Sequence, residues 1–218
     1  MLIPVLTIDG PSGAGKGTVS RLVAKKLGWR YLDSGSIYRS LAIALLKQSV
    51  DLANEAEIIK VAQAMALEFD CGDELVVKLN GDDITAQLAF ENTGNIASRI
   101  AALPDVRQVL LQKQKDFRQA PGLVADGRDM GTVVFPDAEN KVFLTASAAK
   151  RAERRYKQLI DKGIDANLII ITNEIEERDR RDMERKIAPL AMANDALYID
   201  SSDMAIETVV EEVLNLIR

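Results

Sequence analysis

At 218 residues, with 47% hydrophobic and 28% charged side chains, the chain is long enough to bury a sizeable core and has the make-up of an ordinary globular protein. Its formal net charge of -5 speaks against non-specific nucleic-acid or membrane-surface binding, so an anionic ligand has to be met by local arginine clusters. Cys71 is the one cysteine, which excludes an internal disulfide and suits a reducing cytosol; with no histidine at all, neither a zinc site nor an imidazole general base is expected.

The first residues, Met1 to Thr7, lack a basic start and are too short for a signal peptide, and no apolar run approaches a membrane span. A cytoplasmic protein is expected. Val5-Leu6-Thr7-Ile8-Asp9 reads as a buried strand, and it runs into Gly10-Pro11-Ser12-Gly13-Ala14-Gly15-Lys16-Gly17-Thr18. The spacing Gly10-x-x-x-x-Gly15-Lys16 matches a phosphate-binding loop in its required context, with a helix opening at Thr18 and carrying Val19, Leu22, Val23 and Leu27. Glycines let backbone N–H groups converge on a phosphate, the helix N-terminus adds partial positive charge, and Lys16 is a mobile charge for the β- and γ-phosphates. Gly17 stands where a hydroxyl is usual, and Thr18 follows one place later. This Gly-Lys-Gly-Thr ending resembles small-molecule and nucleoside monophosphate kinases more than GTPases. A glycine-rich turn that binds nothing would not need loop, lysine, hydroxyl, strand and helix together. A nucleoside triphosphate is the expected ligand.

Further along, Gly28 is a helix stop, Trp29 to Asp33 a short second strand, and Asp33-Ser34-Gly35-Ser36 a turn that caps a helix carrying Ile37, Leu41, Ala44 and Leu45. Ile58 to Leu67 reads as another helix. The period then changes: Ala66 to Asp70 and Glu74 to Leu79 are strand-like around Cys71-Gly72-Asp73, and Asn80-Gly81-Asp82-Asp83 is a turn before Ile84-Thr85. These imply a small antiparallel insert. Asn95 to Phe117 is helical with a break at Pro104. Leu123 to Asp126 is a third core strand ending in Gly127-Arg128-Asp129-Met130-Gly131, and Lys141 to Thr145 is a fourth. A charged helical region spans about Ala148 to Arg185, interrupted near Gly163. Ala196 to Asp200 is the fifth strand, and a final helix presents Ile206, Val209, Val210, Val213, Leu214 and Ile217. Strands alternating with helices predict an α/β fold, a five-stranded parallel sheet with helices on both faces. Ligands collect at the carboxyl ends of such strands, here Gly10, Asp33-Ser34, Asp126 to Asp129, and Asp200.

Arginines gather at those ends. Arg39 lies one helical turn after Ser34, and Arg128 directly follows the third strand; guanidinium groups suit an anionic acceptor, although a solvated arginine or an ion pair to Asp126 or Asp129 would read the same way. Arg151, Arg154 and Arg155, then Arg178 to Arg185, form a third cluster in which Arg178 and Asp182 share a helix face. Such a run is often only a solvated face; between the fourth and fifth strands it also fits a flap closing over a triphosphate.

Three segments, Ile8 to Thr18, Leu32 to Arg39 and Ala125 to Pro136, together with Glu177-Arg178-Asp179, Asp182, Arg185 and Ala188-Pro189-Leu190, resemble the bacterial cytidylate (CMP/dCMP) kinases over nearly the whole chain. The resemblance implies one P-loop nucleoside monophosphate kinase domain over residues 1–218, with an acceptor-lobe insert near 60–100 and a helical lid near 148–188. It implies ATP on Gly10, Pro11, Ser12, Gly13, Ala14, Gly15, Lys16, Gly17, Thr18 and Arg154, with Mg²⁺ near Thr18. It implies cytosine contacts at Ser34, Ser98, Arg107 and Asp129, with Tyr38 beside them. The acceptor phosphate falls to Arg39, Arg128 and Arg185, and the ribose to Arg178 and Asp182. Lys16, Arg128, Arg151, Arg155 and Arg185 are the implied catalytic charges. The implied partners are CMP or dCMP alone, in a monomer with no nucleic-acid or membrane partner. One stretch departs from the family pattern, Ala89-Phe90-Glu91-Asn92-Thr93-Gly94, while Asn95, Ala97 and Ser98 keep to it.

Transfer of the γ-phosphoryl group to an acceptor phosphate needs no general base, because the attacking oxygen is already ionised; a chain without histidine is equal to it. Two alternatives stand at this level. One is another small kinase, taking UMP, shikimate, thymidylate or adenylate. The other is a non-enzymatic nucleotide switch, although Asn140-Lys141-Val142-Phe143 lacks the aspartate of a guanine-reading motif.

Overall fold

The computed structural model describes residues 2–71, 75–161 and 163–217. In chain order, β1 (Val5–Asp9) leads through the glycine-rich turn into α1 (Lys16–Leu27), and β2 (Arg30–Asp33) leads into α2 (Ser34–Lys47) and α3 (Glu55–Ala64). Small elements follow, β3 (Leu67–Cys71), β4 (Leu75–Leu79), β5 (Asp82–Asp83) and α4 (Thr85–Leu88), then α5 (Glu91–Ile100) and α6 (Pro104–Lys115). The remainder is β6 (Leu123–Gly127), a wide turn at Met130–Val134, β7 (Asn140–Thr145), α7 (Ala148–Asp161), α8 (Leu168–Glu184), β8 (Leu197–Asp200) and α9 (Ile206–Leu216). The strands form a five-stranded parallel sheet in the order β2-β6-β1-β7-β8 and a three-stranded antiparallel sheet in the order β3-β4-β5. That is the α/β fold with an antiparallel insert that the alternation predicts. The chain divides into two compact units, one of Met1–Ile3 with Trp29–Leu123 and one of Pro4–Gly28 with Val124–Arg218.

The second, here the loop unit, carries the glycine-rich turn. All of β1 and β6 is buried, as strands covered on both faces require, which explains their near-continuous apolar runs. β1 and β7 pair with Ile8 opposite Val142, and β7 and β8 with Leu144 opposite Ile199. α9 packs against α1 through a narrower face than predicted. Val209, Val210 and Val213 are buried, each worth about 2 kcal/mol, but Ile206, at the first turn, is 46% exposed. α7 and α8 pack together as a hairpin, and the break predicted near Gly163 lies between them.

The insert unit has its core on α2, where Ile37, Leu41 and Leu45 repeat at four-residue spacing and are buried against α5, α3 and α6. Asp33 caps that helix as predicted, its carboxylate accepting from the Ser36 backbone N–H. Asn80 and Gly81 take φ of 52° and 89°, the pair of positive values that a tight β4–β5 hairpin needs.

Several predicted boundaries move, each for a local reason. α1 opens at Lys16, two residues early, because Gly15 already serves as its N-cap. α3 stops at Ala64 instead of reaching Leu67, since Met65 turns extended and Leu67 pairs with Leu79 in β3. α5 starts at Glu91, so the stretch that departs from the family pattern is folded into a helix start. The Gly72-Asp73 turn and Glu74 lie outside the described residues.

Candidate active site

In the loop unit, Gly10 has φ of 150° and a Cβ there would fall on the Leu144 carbonyl oxygen, so only glycine lets β1 turn so close to β7. The turn ends at α1, whose first turn has no side-chain cap and no acidic residue. Its N-terminal amides and dipole therefore face outward as an anion cradle. Lys16 is 6% exposed, folded back so that Nζ donates to the Pro11 carbonyl at 2.8 Å. Burial, and after it the Arg128 charge, pull its pKa down to about 7, with Arg178 adding to the effect. Asp126 and Asp9 oppose that pull without cancelling it, and an arriving anion would restore the charge. Thr18 sits exposed on the same first turn.

Sequence reading assigned no role to Asp9, the last residue of β1. Its buried carboxylate accepts from Met130 N at 2.8 Å and Gly131 N at 2.7 Å, and burial raises its pKa to about 6. This clamp begins the turn at Met130–Val134, where Val134 N and Phe135 N each bond five residues back, to Asp129 and Met130. A carboxylate ending a buried strand was the available signal. Just before the turn, Arg128 Nε donates to Asp182 Oδ2 at 2.7 Å and its Nη1 to the Gly127 carbonyl. Burial pushes Asp182 up, but the Arg128 charge and hydrogen bond outweigh it and hold the carboxyl below its ordinary value. Arg185 Nη2 lies 3.6 Å from Asp129 Oδ1, and its Nε donates to the Ala188 carbonyl.

Arg151 is the most deeply buried of the three arginines on α7. Its three nitrogens donate to Ser12 O at 2.9 Å, to Ala146 O at 2.8 Å and to Asp179, tying the glycine-rich turn, the end of β7 and α8 together. Arg154 donates to the Ser201 carbonyl, Arg155 is exposed and Arg178 half-buried. Arg178 and Asp182 share a face of α8 as the spacing predicts, and Asp182 is in addition the partner of Arg128 across 54 residues of sequence. No group of three or more metal-ligating side chains occurs among the described residues. A hard ion here would rest on phosphate oxygens, water and a hydroxyl, and Thr18 suits that.

In the insert unit, Ser34 begins α2 and is 5% exposed, with Oγ donating to Gln114 Oε1 at 2.8 Å. Tyr38, one turn on, is buried, and the Arg107 guanidinium lies 5.8 Å from its ring centroid while donating to the Ala101 carbonyl. Arg39 donates to Leu88 O at 2.7 Å and Phe90 O at 3.5 Å. Gly94 leaves the room for it, since a Cβ there would stand 2.9 Å from Arg39 Nη2. Ser98 is half-buried on α5, which packs on α2. Gln114 is the residue missed here. It continues the buried Val106–Leu110 stripe of α6 at four-residue spacing, and an amide in an apolar stripe was the legible sign.

The cytidylate kinase family model matches residues 6–218. A cytidylate kinase of Methylococcus capsulatus is 56% identical over 216 residues, covering 99% of this chain and 97% of that one. One of Aeromonas salmonicida is 56% identical over 214 residues, covering 98% and 93%. One of a Shewanella species is 55% identical over 218 residues, covering 99% and 95%.

Proposed function

This chain belongs to the cytidylate kinase family, and from that membership we propose that it transfers the γ-phosphoryl group of ATP to CMP or dCMP, giving CDP or dCDP. The observation that supports the reading most is Lys16. It is a buried amine at an uncapped helix start, where burial and then the Arg128 charge lower its pKa to about 7 against the opposing pull of Asp126 and Asp9, and a polyanion would relieve that cost.

In the reaction, an ionised oxygen of the acceptor 5′-phosphate attacks the γ-phosphorus, and the bond to the ADP oxygen breaks. Neither step takes a proton from the protein, so catalysis is positioning and charge. The amides of Gly13 to Thr18 cradle the triphosphate, and Lys16 exchanges the Pro11 carbonyl for phosphate oxygens. Arg128, Arg151, Arg155 and Arg185 meet the charge that spreads over the transferring group, and Arg154 serves the ATP side. Mg²⁺, with Thr18 as its hydroxyl, supplies charge neutralisation of the β- and γ-phosphates when bound. Arg39, Arg128 and Arg185 take the acceptor phosphate, Arg178 and Asp182 the ribose, and Ser34, Ser98, Arg107 and Asp129 the cytosine, with Tyr38 supporting Arg107.

In this reading residues 1–218 make one P-loop kinase domain, with an insert near 60–100 and a lid near 148–188 that closes on ATP. It works as a monomer in the cytoplasm; no helix among the described residues is long and apolar enough to cross a membrane. The test is coupled ATP consumption with Mg²⁺ and CMP, dCMP, UMP, AMP, dTMP or shikimate as sole acceptor. Turnover confined to CMP and dCMP is expected. Silence with both, in a protein that still binds ATP, overturns the assignment.

A further inference from the structure

Gln114 lies deep in the insert unit, 2% exposed, and its two amide atoms do different things. Nε2 donates to the Leu110 carbonyl at 3.2 Å, one turn back on α6, and Oε1 accepts from Ser34 Oγ at 2.8 Å. The amide has one sensible orientation. Reversed, it would set carbonyl against carbonyl at Leu110. Oε1 therefore faces Ser34, and a carbonyl oxygen only accepts, so the single hydroxyl proton of Ser34 is committed to it.

We infer that Gln114 fixes Ser34 as a hydrogen-bond acceptor toward the incoming nucleobase and is thereby a positioning residue for choosing cytosine over uracil. The inference rests on the reading that Ser34 meets the base. With its proton committed, Oγ presents only lone pairs, and among the described residues nothing donates to them. The exocyclic amino group of cytosine donates and fits. The corresponding oxygen of uracil only accepts and meets lone pairs with lone pairs. A freely turning serine would serve both bases by rotating its proton. Ser34 is 5% exposed, so the mismatch is not shared with solvent, and discrimination by an unpaired buried group is the large kind. The amide is costly where it stands: it continues the Val106–Leu110 stripe, and an apolar side chain would fill that place without needing partners.

The test is kcat/KM for CMP and for UMP in the wild type, Gln114→Met, Gln114→Glu, Ser34→Ala and the double variant Ser34→Ala with Gln114→Met. Gln114→Met releases the Ser34 proton, and the CMP-to-UMP ratio falls about tenfold. Gln114→Glu, buried against a carbonyl, is held protonated, keeps both hydrogen bonds and leaves the ratio within about twofold. Ser34→Ala lowers the ratio, and the double variant lowers it no further. If Ser34→Ala lowers the ratio and Gln114→Met does not, or if Gln114→Met depresses CMP and UMP use equally, the inference is overturned and the reading of Ser34 stands. If Ser34→Ala leaves the ratio unchanged, that reading itself fails. Melting temperatures accompany each variant, and Gln114→Leu, continuing the apolar stripe, replaces Gln114→Met if the latter does not fold.

Discussion

Arg128, Arg151 and Arg185 of the loop unit each lie against an aspartate, respectively Asp182, Asp179 and Asp129. Arg39 and Arg107 of the insert unit reach main-chain carbonyls, those of Leu88, Phe90 and Ala101, and Arg107 also lies against the Tyr38 ring. The two arrangements suit different tasks. A guanidinium paired with a carboxylate is kept charged and in place when buried, and it can trade one anion for another when phosphate arrives. A guanidinium aimed by fixed carbonyls, as Arg39 and Arg107 are, has its direction set by the backbone, and direction is what distinguishes one ligand from another. On this account the transfer charges lie in the loop unit, while the base contacts Ser34, Ser98 and Arg107 lie in the insert unit, with Asp129 the one base contact of the loop unit.

The largest effect that could break this contrast is at Lys16. Lys16→Met is expected to lower kcat about a thousandfold, ~4 kcal/mol of transition-state stabilisation. The fold should not suffer, because burial already disfavours the ammonium, so the melting temperature should hold or rise. Near-wild-type turnover would remove Lys16 from the mechanism. Next is Asp179→Ala, which leaves the buried Arg151 guanidinium without its carboxylate, both side chains being almost wholly enclosed. A loss of about 3 kcal/mol is expected in urea unfolding. A loss well under 1 kcal/mol would show that Arg151 is not held by this pair.

Gly94→Ala sharpens the other side of the contrast. Its Cβ would stand 2.9 and 3.0 Å from the Arg39 guanidinium nitrogens, so the tip of Arg39 must shift. KM for CMP should rise about fivefold, ~1 kcal/mol of one displaced hydrogen bond, with kcat little changed. An equal fall in kcat would give Arg39 a part in transfer as well. The smallest effect is a fraction of a proton. With a pKa of about 7, Lys16 is mostly neutral at pH 8 in the free protein, and a bound triphosphate restores its charge. Calorimetry of ATP binding at pH 8, in buffers of different ionisation heat, should show uptake approaching one proton. At pH 6, where Lys16 is already charged, uptake from it should nearly vanish. The same small value at both pH values would mean that Lys16 stays charged without its ligand.

The parts legible in the sequence were those whose causes are local. The turn from Gly10 to Lys16, the Asp33 cap, the Asn80-Gly81 hairpin and the break at Pro104 each follow from a few neighbouring residues, and all appear in the structure. The alternation of apolar strands with helices likewise carried the sheet. What stayed hidden depends on distant partners. Asp9 reaches 121 residues along the chain to Met130, Arg128 takes Asp182 instead of a neighbour, and Ser34 meets Gln114 across 80 residues. The wide turn after β6 has a tertiary cause in the Asp9 clamp, and no local signal announces it. The departure at Ala89 to Gly94 was visible as a departure; that it surrounds Arg39 was not.

The measurement that bears most directly on the division of labour is the CMP-to-UMP ratio of kcat/KM in Lys16→Met and Ser34→Ala beside the wild type. The account predicts that Lys16→Met slows both acceptors by the same factor and keeps the ratio. Ser34→Ala should lower the ratio while CMP turnover stays within about an order of magnitude. A ratio that collapses in Lys16→Met and holds in Ser34→Ala would contradict it.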